Sequence, residues 1–304
     1  MTLATSAASA GPWQWHAHPD VWTLVVLLGC AYVFSLRRLA LRHAPPGAPA
    51  ATPKQVTMFF CGLALLWAGA DWPIHDLAEG YLFSAHMTQH TLFSLVAPPL
   101  LLLGIPRWLA EYVVRPAAIS AVVRRMARPI PALILFNAVI VVTHWAPVVN
   151  LALRSEPAHL GLHVILFTSA TLMWMPVVSP LAEPGRLEPP AQMLYLFIQS
   201  IVPTVPASFF TFSRGVIYDG YASAPQVWGL SHTEDQQIAG VVMKIGGGLI
   251  LWGVIALVFF RWQAAEEAED RAAGSRRRDD GVRRGSGTSG RKNGHKPTPI
   301  LGVR

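Results

Sequence analysis

Two pairs of histidines in this chain stand four residues apart: His86 and His90 in YLFSAHMTQHTLFSLVAPPLLLLG, and His159 and His163 in AHLGLH. On a helix this spacing puts both imidazoles of a pair on one face, about one turn (~5.4 Å) apart, as in a chelating pair. Imidazole suits copper, zinc, iron and nickel, and the thioethers Met87 and Met243 near the same level tilt selection toward reduced copper. Haem is the main rival, because two histidines on facing helices can ligate its iron axially. The plain alternative is that each histidine is a hydrogen-bonded core residue, but two such pairs on separate apolar segments favour ligation. For Met87 packing is preferred, since neighbouring helix positions do not share a face with His86.

The elements that must carry these residues are membrane spans. Of 304 residues 52% are hydrophobic and 13% charged, and mean hydropathy is +0.38, which leaves too little polar surface to clothe a soluble globule. Seven apolar segments reach the length that a ~30 Å hydrocarbon core demands: 21–36, 55–71, 81–103, 131–149, 158–178, 191–212 and 238–262. Backbone satisfaction in lipid makes each a helix, so the expected fold is all-α and polytopic, with seven transmembrane helices. Cys30 and Cys61 lie in separate apolar runs without CxxC spacing, and the first 20 residues lack the basic start of a signal peptide.

The basic residues set orientation. Arg37, Arg38, Arg42 and Lys54 lie between spans one and two, Arg107 to Arg128 between three and four, Arg186 between five and six, and a further run follows span seven; the opposite loops hold only Arg154 and Arg214. By the positive-inside rule the N-terminus is outside and the C-terminus cytoplasmic. Three parts follow: an extracytoplasmic segment 1–20, a seven-helix domain 21–262, and a basic cytoplasmic tail 263–304 too poor in apolar residues to fold by burial. The tail can touch anionic lipid; the +7 net charge is thereby explained without a nucleic-acid partner.

This topology places every histidine except His43 and His295 on the outer side or in the outer third of a span. His144, in THWAP, ends span four there. Pro98, Pro99, Pro203 and Pro206 are positions where a span can bend and open a cavity. Asp235 is read first as a carboxylate on the positive end of its own helix; alternatively Glu234 or Asp235, with Gln236 and Gln237, orients imidazoles from behind. Lys244 is an intramembrane charge whose partner the sequence does not reveal. No nucleophile motif, nucleotide loop or carboxylate pair supports an ordinary soluble-type hydrolase or kinase.

The ordered set WHAHPDVW, HMTQH followed by APPLLLLGIP, THW, HLGLH, TFS and SHTEDQQIAGVVM resembles the polytopic CtaG family of cytochrome c oxidase assembly factors, in its caa(3)-type branch, over residues 15–262. The resemblance implies a non-enzymatic, multi-pass protein of the bacterial plasma membrane that matures a haem-copper oxidase by helping copper delivery on the outer face. Its partners would be oxidase subunits and a soluble periplasmic copper chaperone. The family's motif histidines fall on His18, His86, His90, His144, His159 and His163, and its acidic-amide motif on Asp235, Gln236 and Gln237, with Met243 beside them. Two alternatives stay open, a histidine-ligated haem protein in electron transfer and a copper transporter.

Overall fold

A computed structural model describes residues 11–288. Among the described residues all regular structure is helical, and five helices are long and apolar enough to cross a membrane, or up to seven if each of two bent pairs is one span. In order, α1 is Pro19–His43, α2 Pro53–Ala70, α3 Ile74–Gly80 and α4 Phe83–Gly104. Then come α5 Arg107–Val113, α6 Ala117–Met126, α7 Pro129–Thr143, α8 Ala146–Ala152 and α9 Glu156–Val178. The last are α10 Pro189–Ile201, α11 Thr204–Phe212, the short α12 Asp219–Ala222, α13 His232–Val241 and α14 Gly247–Thr288. The bent pairs are α4 with α5, meeting at 106°, and α6 with α7, at 87°. Large apolar side chains such as Ile130, Phe209, Phe212 and Leu249 are exposed, as a protein whose solvent is lipid allows.

Two expectations change. The segment expected as one span at 131–149 is two helices, α7 and α8, broken at His144 and Trp145. Pro147 has no N–H to offer the Thr143 carbonyl, so the helix cannot run through. The tail expected to be disordered from 263 is helical as far as Thr288, in a second unit that begins at Leu257. Ala, Glu and Arg are strong helix formers, and Glu267 pairs with Arg271 at 2.8 Å one turn on, so this segment needs no buried face. The rest of the tail, 289–304, lies outside the described residues.

Local signals explain several helix starts. Thr52 with Gln55 and Ser231 with Glu234 form capping boxes at α2 and α13. α9 has proline and Glu156 in its first turn, which suits the positive helix end. α4 has no cap of its own. Its ladder is also interrupted by a π turn at Leu92–Val96, just before Pro98 and Pro99. Pro98 cannot donate to the Ser94 carbonyl; the fully buried Trp174 of α9 does so instead, Nε1 to O at 3.0 Å. Another π turn, Val242–Gly246, joins α13 to α14, and one at Ser35–Leu39 lies within α1.

The main core gathers Phe136, Leu166, Met173, Trp174, Leu196 and Leu251 from α7, α9, α10 and α14. Close crossings rely on glycine. A Cβ on Gly104 of α4 would stand 2.5 Å from the backbone nitrogen of Phe59 in α2, so only glycine fits there. A Cβ on Gly240 in α13 would likewise meet Thr211 and the Ala207 carbonyl of α11.

Candidate metal centre

α4 and α9 bring their histidine pairs face to face. Ligand atoms of His86, His159 and His163 all lie within 4.8 Å of one another. Ring centroids of His86 are 5.5 Å from His159 and 5.9 Å from His163, and the two α9 imidazoles approach through Nε2 at 3.2 Å. His90 completes the cluster, 4.3 Å from His86 and 5.3 Å from His163 between centroids. These four line a small cavity of about 20 Å³. Phe93 stands edge-on to His163, limiting how far that ring can turn.

The proton positions follow from the partners. His159 Nδ1 faces the Glu79 carboxylate at 3.1 Å, and Glu79 also meets His75 Nε2 at 3.4 Å. An ionised carboxylate can only accept, so His159 Nδ1 carries the proton and its Nε2 presents a lone pair to the cluster. His86 Nδ1 and His90 Nδ1 are buried without a hydrogen-bond partner. Unpaired buried nitrogen is costly, and neutral imidazoles converging on one point are a donor set for a soft or borderline cation. The residues therefore fit a metal ion. Glu79, which spacing did not single out, backs the site because α3 folds onto the start of α4; Leu82 N bonds Leu77 O at 2.7 Å across the turn.

The other expected residues lie elsewhere. His144 sits at the end of α7, its ring 5.7 Å from His90, with Nδ1 donating to the Ile140 carbonyl at 2.7 Å. His18 is not in the cluster: its Nε2 meets Asp76 at 2.8 Å and its ring stands 4.8 Å from His75. His16 Nδ1 meets the same carboxylate at 2.9 Å, so Asp76 ties the 11–18 segment to α3. Met243 lines a second cavity, with Met87, His90 and His144.

Asp235, Gln236 and Gln237 do not orient imidazoles. Asp235 is buried and accepts from Phe83 N at 2.7 Å, Ser84 N at 3.2 Å and the Ser84 hydroxyl. It is a helix-start carboxylate, but for α4, while the Ser231–Glu234 box serves its own helix. Gln236 accepts from Ile217 N at 2.7 Å and donates to Gly215 O at 3.1 Å, and Gln237 donates to Ser213 O, so both hold the 213–217 loop. Tyr221 on α12 donates to Ala78 O at 2.8 Å. Burial, reinforced by the Glu79 and Asp235 carboxylates, raises its hydroxyl well above the usual tyrosine range and keeps it a donor. Between the histidines, Gln89 Nε2 donates to Gly69 O at 2.8 Å, closing the end of α2.

No curated protein and no solved structure matches this chain. The family model described as cytochrome c oxidase caa3 assembly factor matches residues 30–265, which takes in the whole α4–α9 cluster and the 231–243 segment but begins after His18. With that match spanning most of its length, the chain belongs to the Caa3_CtaG family of cytochrome c oxidase assembly factors.

Proposed function

We propose that this protein receives copper(I) at His86, His159 and His163 and passes it to a subunit of a haem-copper oxidase during assembly. The observation that carries this reading is the convergence of three imidazole nitrogens from two helices within 4.8 Å, backed by Glu79. Neutral imidazole donors hold copper(I) without adding negative charge to a buried site, and a three-ligand site leaves a coordination position open to an incoming partner ligand. Transfer is then ligand exchange, with no change in the metal's oxidation state. The bias of basic residues to the opposite loops supports an outer-face cluster in a plasma membrane, where copper would arrive from a soluble chaperone. A haem needs an open slab between its axial imidazoles, whereas the cavity between these rings is about 20 Å³.

The test is made in membranes of a cell that depends on its caa3-type oxidase. His159→Asn/His163→Asn should leave the protein inserted at wild-type level while oxidase activity and oxidase copper content fall together under copper limitation. Full copper content in the oxidase of that strain would end the proposal.

A further inference from the structure

His90 borders two cavities. One is the histidine cavity; the other, about 50 Å³, opens between α4, α7, α10, α11 and α14, and its lining includes Met87, His90, His144 and Met243 together with Lys244, the intramembrane charge. A space of that size admits an ion with a water or an incoming ligand atom. In the second cavity His144 Nδ1 donates to the Ile140 carbonyl, so in the neutral ring Nε2 is a bare lone pair, and this atom is buried without a hydrogen-bond partner. His90 Nδ1 is orphaned in the same way. The lining also includes two thioethers, Met87 of α4 and Met243 in the π turn at Val242–Gly246. Local π turns often occur where a helix re-aims a side chain for function.

We infer that this cavity is a second metal station, distinct from the three-histidine site, with His90, His144, Met87 and Met243 as a nitrogen and thioether donor set selective for copper(I). Thioethers bind soft monovalent copper and discriminate against zinc, iron(II) and copper(II), so the station is also a selectivity filter. Because His90 belongs to both walls, copper can leave the histidine cavity by exchanging imidazoles for thioethers one bond at a time. Each step forms one Cu–N or Cu–S bond and breaks one; neither an electron nor a proton need be supplied. This rests on the reading of the first site as a copper(I) site.

The experiment is anaerobic titration of the detergent-purified full chain with copper(I) against a chromogenic chelator, with copper X-ray absorption on the loaded protein. Wild type should bind two equivalents and show sulfur as well as nitrogen scattering. Met87→Leu/Met243→Leu, close in volume, should lose one equivalent and the sulfur contribution, and His144→Gln should lose the same equivalent without touching a methionine. His159→Asn/His163→Asn should keep the sulfur-ligated equivalent. A wild-type spectrum without sulfur, or a methionine variant indistinguishable from wild type, overturns the second station and leaves the first standing. Sulfur-ligated copper that survives in the His159/His163 variant while wild type binds no second equivalent overturns the first site alone. No copper(I) in any form overturns both. Size-exclusion elution and helical circular dichroism equal to wild type qualify each variant.

Discussion

Removing the Asp235 carboxylate should loosen the helix that carries His86 and His90, although Asp235 touches neither. It accepts two backbone N–H groups, Phe83 at 2.7 Å and Ser84 at 3.2 Å, at the start of a helix with no cap of its own. Each hydrogen bond to a charged acceptor contributes about 1.5–3 kcal/mol, and the Ser84 hydroxyl can turn to another acceptor, so the backbone donors decide the magnitude. Asp235→Ala should therefore cost about 3–5 kcal/mol, in the range that single substitutions reach only through a named loss. Asp235→Asn keeps one oxygen but aims an amide N–H₂ at a donor, and should cost about 2–3 kcal/mol. The assay is unfolding in mixed micelles with increasing dodecyl sulfate, followed by tryptophan fluorescence. Amide exchange supplies the local readout: His86 N bonds Leu82 O at 3.2 Å in the first turn of α4, and protection there should fall before the rest of the bundle opens. Unfolding of Asp235→Ala within about 0.5 kcal/mol of wild type would refute the cross-helix cap.

Four further outcomes are expected. Glu79→Gln removes the charge that fixes the His159 tautomer and should weaken copper(I) binding about 10–100-fold in chelator competition; an unchanged affinity would show that the carboxylate does not orient the ring. Gly104→Ala should destabilise by about 1–3 kcal/mol, because the Phe59 backbone cannot yield, while Gly253→Ala, with open space around it, should be neutral or mildly stabilising in the same micelle assay. Trp174→Phe strands the Ser94 carbonyl and should cost about 2–4 kcal/mol; retention of wild-type stability would mean that carbonyl is satisfied otherwise. Asp76→Asn should release the 11–18 segment and speed its proteolysis, and equal cleavage rates would assign the tether elsewhere.

The all-helical membrane architecture was legible because length and hydropathy are one-dimensional properties, and the four-residue spacing put His86 with His90 and His159 with His163 on faces that do meet. Glu79 was not legible. It lies on a separate short helix, and its approach to His159 depends on how α3 folds back onto α4. Asp235 could be recognised as a helix-start carboxylate, but which helix it starts is a tertiary fact 152 residues away in sequence. His18 carries the same side chain as the cluster members yet pairs with Asp76, a choice made by where the 11–18 segment lies. For residues 263–288, burial alone pointed to disorder, whereas the helix observed there follows intrinsic propensity.

Of the three π turns among the described residues, those at Leu92–Val96 and Val242–Gly246 set the phase of α4 and of the last helix. Each adds one residue to a turn, which rotates everything beyond it by roughly 100° about its own axis. They adjoin: a Cβ on Gly247, just past the second, would lie 3.2 Å from Leu95 in the first. α4 and the last helix thus change phase side by side. The turn that carries His86 and His90 lies before Leu92–Val96, so its facing is offset from that of Ala97–Gly104 beyond. The chain thus sets the facing of its histidine-bearing turn apart from that of the stretch that continues through the bundle.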